Sequence, residues 1–424
     1  MSLGPSIHLV VYDADLIGDI LKKQAKFYSK LSLLRTIFGA LFGVTNLLLS
    51  EGEVHDRSRR MLNPAFHYVQ LQSMVQIMTR HTSAAIDQWM GKNEKEKIID
   101  MQQELNDLTL SIIMSAAFGM EQNSEAKDFV RQAFTRVMDA NNYRSLEFPI
   151  NQIPILRRLP IFKKGIVDRG SHQIQTIVAQ MINERKCRKT SSICDGNDLL
   201  DLLLTAKDEN DDGFSDEQVK DEAITFVFAG HETTANLMVW CLYVLMTHPD
   251  VYRDCREEVD QVLQGQIPVH KQVSDLQVID AILHETLRLY PPAPVLIREC
   301  IREHTIGQDQ LHVPVGALVM TNTYVLHRSE TYWRDPLVFD YRRWMRNSDG
   351  LKSRLAHPFS YLPFSTGNRN CIGQNFALLE AKVMLAMIIQ RLDLELVPGQ
   401  KVVPSVILTM KSKYGLQAKI SRRI

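Results

Sequence analysis

The stretch Pro358-Phe-Ser-Tyr-Leu-Pro-Phe364-Ser-Thr-Gly367-Asn-Arg369-Asn-Cys371-Ile-Gly373 places one cysteine in a turn punctuated by glycine. From Gln374 to Gln390, apolar side chains recur every three or four residues, which predicts a helix directly after the turn. The N–H groups and positive dipole end of that helix favour the thiolate form of Cys371. Glycine tolerates backbone angles and close approaches that other residues resist, so we expect Gly367 and Gly373 to serve such a turn.

Arg369 adds a planar fork of donors that suits a carboxylate. A thiolate next to such a cation is what a haem with a cysteine axial ligand requires. An arbitrary cysteine is more often a buried structural side chain, so the residue types alone leave both interpretations open.

The spacing decides between them. Phe364, Gly367, Arg369, Cys371 and Gly373 resemble the haem-binding signature Phe-x-x-Gly-x-Arg-x-Cys-x-Gly of the cytochrome P450 family at every specified position. The resemblance implies that Cys371 binds the iron of haem b (iron protoporphyrin IX), that Phe364 packs near the thiolate and that Arg369 binds a propionate. It also implies the cytochrome P450 fold, which is mainly α (α+β), with many helices around the haem and small β-sheets at one side.

The composition sets the broad class. The chain has 424 residues, 49 Lys+Arg and 49 Asp+Glu, so its overall charge does not attract nucleic acid. No low-complexity linker or internal repeat divides it, and we expect a single domain over residues 1–424. The cysteines form no CxxC pair, which indicates a reducing compartment; they are Cys187, Cys194, Cys241, Cys255, Cys300 and Cys371.

The start of the chain is abrupt. Ile7–Tyr12 is predicted to be a strand within a few residues of Met1, whereas relatives usually carry an anchor, a hinge and a helix before it. We therefore expect an N-terminally truncated chain. The most apolar early run, Leu33 to Leu49, is interrupted by polar residues and is a poor candidate for a membrane span.

The segment from Gly52 to Phe66 carries several cations, and we predict that Arg57 lies on a solvated helix face. The family commonly has Trp-x-x-x-Arg here, and both residues bind haem propionates. This chain retains Arg59 but has His55 in place of the tryptophan. Imidazole can also donate a hydrogen bond, so both residues are predicted to bind the cofactor.

A long helix is predicted to begin at the capping box Ser215-Asp-Glu-Gln218 and to end before Pro249. Its middle, Ala229-Gly-His-Glu-Thr-Thr234, combines a glycine, an acid and hydroxyls, which predicts a local opening of the helix. The block resembles the oxygen-activation motif of the family, with Glu232 and Thr233 at the acid and alcohol positions that deliver protons.

Three further positions resemble family features. Glu285-Thr-Leu-Arg288 resembles the Glu-x-x-Arg pair, which is buried and joined by a second arginine; the candidate is Arg343. Arg298 stands where relatives place another propionate ligand. Some fatty-acid hydroxylases esterify haem through a glutamate where this chain has Ala229, so we predict noncovalent haem apart from the iron–sulfur bond.

The rest of the sequence predicts further helices, strands and irregular stretches. An irregular stretch is predicted before Gly52 and another over residues 140–165, with a polar loop from Cys187 to Asn197. Helices are predicted over residues 16–23, 71–120, 163–186, 250–263 and 276–290, of which 71–120 and 250–263 are expected to be scaffold. Strands are predicted near residues 295–297, 311–313, 318–323, 392–396 and 406–420.

By resemblance, the chain is an oxidoreductase that inserts one atom of O2 into a lipophilic substrate. The implied partners are an NADPH-dependent flavoprotein reductase and cytochrome b5. The chain is expected to be a monomer in peripheral contact with the endoplasmic reticulum membrane at its cytosolic face. Three alternatives remain: a haem-thiolate isomerase or dehydratase acting on peroxides, an inactive haem-binding fragment, and a haem-free scaffold. The acid–alcohol pair argues against the isomerase. The pattern leaves open fatty acids, sterols and foreign lipophiles as substrates.

Overall fold

The computed structural model describes residues 2–3, 6–66, 68–91, 95–119, 125–146, 159, 161–189, 198–346 and 354–423. Within these ranges, no helix combines the length and apolar character needed to cross a membrane. Helices dominate and the sheets are small, which confirms the predicted mainly α (α+β) class. The strand expected over Ile7–Tyr12 is present at Ser6–Val11.

The α-helices are α1 (Ala14–Gly18), α2 (Ser32–Phe42), α3 (Gly52–Leu62), α4 (Tyr68–Met90), α5 (Met101–Phe118), α6 (Glu125–Leu146), α7 (Lys164–Lys189), α8 (Leu199–Thr205), α9 (Asp216–Thr247), α10 (Pro249–Leu263), α11 (His270–Asp275), α12 (Gln277–Leu289), α13 (Thr323–Leu326) and α14 (Gln374–Arg391). A π-helical turn, Asp19–Lys23, extends α1, and a short 3-10 turn, Gly367–Arg369, precedes Cys371.

The strands are β1 (Ser2–Leu3), β2 (Ser6–Val11), β3 (Tyr28–Ser29), β4 (Glu96–Asp100), β5 (Val295–Cys300), β6 (His304–Ile306), β7 (Leu311–Val313), β8 (Leu318–Asn322), β9 (Leu392–Leu396), β10 (Pro404–Val406), β11 (Met410–Ser412) and β12 (Gln417–Arg422). They form a sheet of order β1-β2-β8-β5-β3, a sheet of order β4-β12-β9 and the two hairpins β6-β7 and β10-β11.

The chain divides into two compact units. The first comprises Met1–Ser29, Met78–Leu108 and Thr233–Ile424. Its largest sheet is covered by a buried apolar cluster that includes Ile17 and Leu21 from the N-terminal helices. Leu362, from the loop before Cys371, belongs to the same cluster. The cysteine loop is therefore built on this core and is not a loose surface connection.

The second unit comprises Lys30–Ile77 and Thr109–Glu232. Phe42 of α2 packs against Phe228 of α9 with ring centroids 4.8 Å apart. The loop after α2 is fixed by two buried acids of α9, because Asp221 accepts a 2.8 Å hydrogen bond from the Thr45 hydroxyl and Glu222 accepts one of 3.0 Å from the Leu47 N–H.

Glu222 is a buried acid with a strongly shifted pKa. Burial raises its pKa from an ordinary value near 4.5 to about 8, while the Leu47 N–H and the Ser58 side chain oppose the shift and Asp221 adds to it. Its Oε1 has no hydrogen-bond partner among the described residues. The unfolded chain ionises this group at lower pH than the folded chain does, so its ionisation disfavours folding increasingly as pH rises from 4.5 to 8.

We therefore expect Glu222→Gln to raise the thermal midpoint relative to wild type, with a gain that grows between pH 5 and pH 8. The free energy involved is on the order of 1–4 kcal/mol. Thermal unfolding across this pH range measures the effect, and Glu217→Gln on the exposed first turn of the same helix is the control. An equal difference at every pH would contradict the assignment.

Several expectations about local structure were wrong. The stretch before Gly52 contains α2, residues 140–146 continue α6, and residues 187–189 end α7. Residues 147–158, 160 and 190–197 lie outside the described residues, so the predicted irregular and polar loops there stay predictions. Strand β4 interrupts the predicted 71–120 helical region because it pairs with β12 from the far end of the chain.

Candidate functional site

Two backbone hydrogen bonds within the cysteine loop fix its conformation. The Cys371 N–H donates a 2.9 Å hydrogen bond to the Phe364 carbonyl, and the Asn370 N–H donates one of 3.2 Å to the Gly367 carbonyl. The predicted helix follows as α14, with Gly373 at its N-cap. Cys371 is exposed although the residues around it are mostly half-buried. Its side chain thus stands at the N-terminal end of an 18-residue helix, where negative charge is favoured.

The two glycines of the signature differ in whether the backbone requires glycine at their positions. Gly367 has φ +75°, and a Cβ there would lie 2.3 Å from the carbonyl oxygen of Leu21, so both the angle and the packing require glycine. Gly373 has φ −84°, an ordinary value. The expectation that Gly373 supplies an unusual backbone angle was wrong.

Arg369 ends the 3-10 turn two residues before Cys371 and is half-buried. Arg298 lies on β5 opposite Val319 of β8, also half-buried, and one of its guanidinium N–H groups donates to the Ile297 carbonyl at 2.9 Å. Phe364 is likewise half-buried. These side chains all belong to the first unit.

The long helix is confirmed as α9. Ser215 and Gln218 form the predicted capping box, with reciprocal bonds of 3.0 and 3.2 Å between backbone N–H and side chain. The helix continues without a break through residues 229–234, so the predicted local opening is not seen as an interruption. Gly230 packs closely against α5: an added Cβ would lie 3.2 Å from the Ile113 side chain, which would have to shift slightly to accommodate it.

Exposure along α9 changes at the motif. Residues 221–228 and 234–242 are buried, whereas Ala229 is exposed and Glu232 and Thr233 are half-buried. The His231 carbonyl accepts a 3.0 Å hydrogen bond from the Thr109 hydroxyl of α5. The acid and the alcohol therefore lie on a short accessible section between two buried stretches of the helix.

In the second unit, α3 carries the other two predicted cofactor ligands. His55 is buried and its Nδ1 lies 2.8 Å from the Asp56 carboxylate. Arg59 is half-buried and donates to the Asn63 side chain at 3.0 Å. These contacts keep both side chains ordered on one helix, one turn apart.

Arg57 was predicted on a solvated helix face, and this was wrong. Its Nε donates to the Asp208 carboxylate at 2.5 Å, and its other N–H groups donate to the carbonyls of Asp212 and Gly213. The guanidinium holds the pKa of Asp208 below its usual range. Arg57 therefore ties α3 to the turn before α9, a tertiary contact that local periodicity cannot show.

The buried Glu285 pair is confirmed. Arg288 donates to both Glu285 oxygens at 2.9 and 2.8 Å, and both residues have no exposed surface. Arg343 joins as predicted at 3.3 Å, and the Trp344 indole N–H adds a bond of 2.8 Å. Arg288 also donates to the carbonyls of the following connection, from His327, Pro336 and Val338. The network fastens the chain that leads to the cysteine loop.

The structure shows a further buried acid, Glu380, that the sequence analysis did not identify. Glu380 of α14 lies beside Thr234 of α9, and burial raises the pKa of Glu380 well above its usual range, opposed only by the Thr234 hydroxyl. Neither side chain makes a hydrogen bond of ordinary geometry within the described ranges. The signal was present, because Glu380 interrupts the apolar stripe of Phe376 and Val383 on the predicted helix.

These residues fit a haem with a thiolate ligand. Cys371 is exposed while its amide bonds the Phe364 carbonyl, and Gly367 packs closely against the backbone of Leu21. Arg369 and Arg298 offer planar donors of the kind that bind carboxylates. The donor set matches the chemistry of an iron porphyrin with two propionates.

Known proteins resemble this chain over nearly its whole length. The sequence model described as Cytochrome P450 matches residues 1–419. Cytochrome P450 4A2 of Rattus norvegicus is 32% identical over 99% of this chain and 82% of that protein, and Cytochrome P450 4A11 of Homo sapiens is 31% identical over 99% and 80%. Among solved structures, the cytochrome P450DA heme domain has a TM-score of 0.85 at 27% identity, covering 98% of this chain and 88% of that one. Retinoic acid bound cyanobacterial CYP120A1 has a TM-score of 0.80 at 25% identity, covering 98% and 89%.

Proposed function

Because the chain belongs to the cytochrome P450 family, it is a haem-thiolate monooxygenase that binds haem b, and we propose that Cys371 supplies the axial thiolate. The observation that carries this assignment is the exposed Cys371 at the start of α14, with its N–H bonded to the Phe364 carbonyl. When bound, the haem supplies the activation of dioxygen, so that one oxygen atom enters the substrate and the other leaves as water.

The remaining site residues have proposed roles toward the same group. Arg369, Arg298, Arg59 and His55 bind the propionates through charged or imidazole N–H donors. Phe364 packs near the thiolate. Gly367 keeps the loop close to its support, as its packing on Leu21 indicates. We propose that residues 1–424 form a single domain that carries all of these side chains.

Glu232 and Thr233 are proposed to deliver protons. The Thr233 hydroxyl holds an ordered water by donating and accepting hydrogen bonds, and the neighbouring Glu232 carboxylate passes protons in from solvent. Their half-buried position on the accessible section of α9 supports this division of labour.

Thr233→Ala is expected to lower product formed per NADPH consumed about 10- to 100-fold, because the water loses its hydroxyl partner. The carbon-monoxide difference spectrum should keep its position, since the thiolate is untouched. Thr247→Ala at the exposed end of the same helix is the control. Undiminished coupling of NADPH consumption to product would remove Thr233 from the mechanism.

The family requires a redox partner and a lipophilic substrate. For this chain we propose an NADPH-dependent flavoprotein reductase, with cytochrome b5 as a second donor, and a monomer in peripheral contact with the cytosolic face of the endoplasmic reticulum membrane. Fatty acids, sterols and foreign lipophiles are the proposed substrate classes. The decisive experiment combines purified chain, reductase, NADPH and isotopically labelled dioxygen: one labelled oxygen in the product supports the function, and NADPH-independent rearrangement of a peroxide would favour an isomerase.

We further propose that haem is held without an ester bond, because Ala229 has no carboxylate to form one. Acidic organic extraction should release the whole of the haem from the chain. Haem remaining with the denatured polypeptide would contradict this expectation.

A further inference from the structure

His327 is a fully buried polar residue with no role in the function proposed above. It follows α13, and its ring lies between helix α12 and the cysteine loop. The ring Nδ1 is 3.1 Å from the Arg288 carbonyl oxygen, and the Leu362 N–H donates to Nε2 at 2.9 Å.

These two contacts define the state of the ring. A carbonyl only accepts and an amide N–H only donates, so Nδ1 carries the proton and Nε2 offers its lone pair. Burial lowers the pKa of His327 to about 3, the Arg288 carbonyl opposes the shift, and the cations Arg288 and Arg328 add to it. The neutral imidazole is therefore a fixed donor on one side and a fixed acceptor on the other.

The acceptor side reaches the cysteine through the backbone. Leu362 lies two residues before Phe364, and its carbonyl accepts from the Ser365 N–H at 3.1 Å. The Phe364 carbonyl in turn accepts the Cys371 N–H at 2.9 Å. Ser365 has φ +60°, an unfavourable angle for a residue with a Cβ, so this turn needs outside support.

We propose that His327 is a positioning residue for Cys371: its Nε2 lone pair fixes the Leu362–Ser365 turn and so holds the Phe364 carbonyl that orients the Cys371 amide. The inference rests on the proposed function, since it concerns the same axial sulfur. Its expected consequence is that the bond from Leu362 to His327 preserves thiolate ligation, beyond any effect on the stability of the fold.

A matched pair of variants separates the two sides of the ring. In His327→Gln the side-chain carbonyl can still accept from the Leu362 N–H, and in His327→Asn the amide can still donate to the Arg288 carbonyl. The holoprotein is reduced, saturated with carbon monoxide and followed at constant temperature. We expect the Asn variant to lose the red-shifted thiolate band about fivefold faster than wild type, a factor corresponding to one buried hydrogen bond, and the Gln variant to stay near wild type.

Thermal unfolding of the same samples shows whether the substitutions act only through the stability of the fold. His304→Gln is the control, since this histidine of β6 bonds the Tyr28 hydroxyl in the same unit. Equal band loss in the Asn and Gln variants, or band loss that only parallels their thermal midpoints, would overturn the proposal. A wild-type holoprotein without a red-shifted band would instead contradict the assignment of Cys371 itself.

A measurement on wild type keeps the inference testable if neither variant folds. Hydrogen exchange of the Leu362 amide in the holoprotein should be as slow as that of core helix amides, because His327 accepts its hydrogen in a fully buried position. Rapid exchange at Leu362 would show that the bond does not hold the loop, and the proposal would be abandoned.

Discussion

Replacing Cys371 with alanine is expected to abolish the red-shifted carbon-monoxide band and all NADPH-dependent product formation. No other side chain of the loop can supply an anionic sulfur, and O–O cleavage depends on electron donation from that ligand. Because Cys371 is exposed and the substitution retains the backbone N–H that bonds the Phe364 carbonyl, we expect the fold to stay intact. Absorption spectroscopy of the reduced protein and circular dichroism measure the two effects on one sample.

Cys187→Ser is the matched control, because this second exposed cysteine lies on α7, outside the signature. It should retain the band and the activity. A red-shifted band that persists in Cys371→Ala would mean that a different residue binds the iron, and the interpretation of the signature would then fail.

Removing the charge of Glu285 is expected to have the largest effect on stability. Glu285→Gln leaves Arg288 fully buried without its anion and weakens the bond to Arg343, and breaking a buried pair in this way typically costs about 3–5 kcal/mol. The carbonyls of Pro336 and Val338 would lose the oriented guanidinium that holds them. We expect little folded protein and low haem content, measured as soluble yield, thermal midpoint and haem-to-protein ratio.

Arg253→Gln is the comparison, since Arg253 pairs with Asp254 and Glu257 on an exposed face of α10. Solvent screens exposed ion pairs, so the thermal midpoint of this variant should hardly move. Comparable losses in the two variants would show that the Glu285 network has no special structural weight.

Much of the fold could be predicted because the signals are local. The capping box of Ser215 and Gln218 and the proline after His248 mark the ends of α9 within one residue or two. The apolar stripe after Gly373 marks α14 in the same way. In contrast, α2 (Ser32–Phe42) was missed although its signal was present, because Ile37, Phe38, Leu41 and Phe42 recur at helical spacing and form its buried face.

The candidate site divides along the same line. The spacing from Phe364 to Gly373 and the neighbours Glu232 and Thr233 are contiguous in sequence, so residue order alone identified them. The acceptor of the Leu362 amide, by contrast, comes from a histidine 35 residues earlier in the chain. Glu380 and Thr234 are still farther apart in sequence, and only folding brings them together.

By itself, the sequence determined which residues carry chemistry, the family, and the ends of the strongly periodic helices, because each depends on neighbours within a few residues. The tertiary structure alone decided which polar groups from distant parts of the chain meet: Arg57 with Asp208, Arg343 and Trp344 with Glu285, and His327 with Leu362. The physical reason is that a buried donor or acceptor must find a partner wherever packing provides one, and that partner can lie anywhere along the chain.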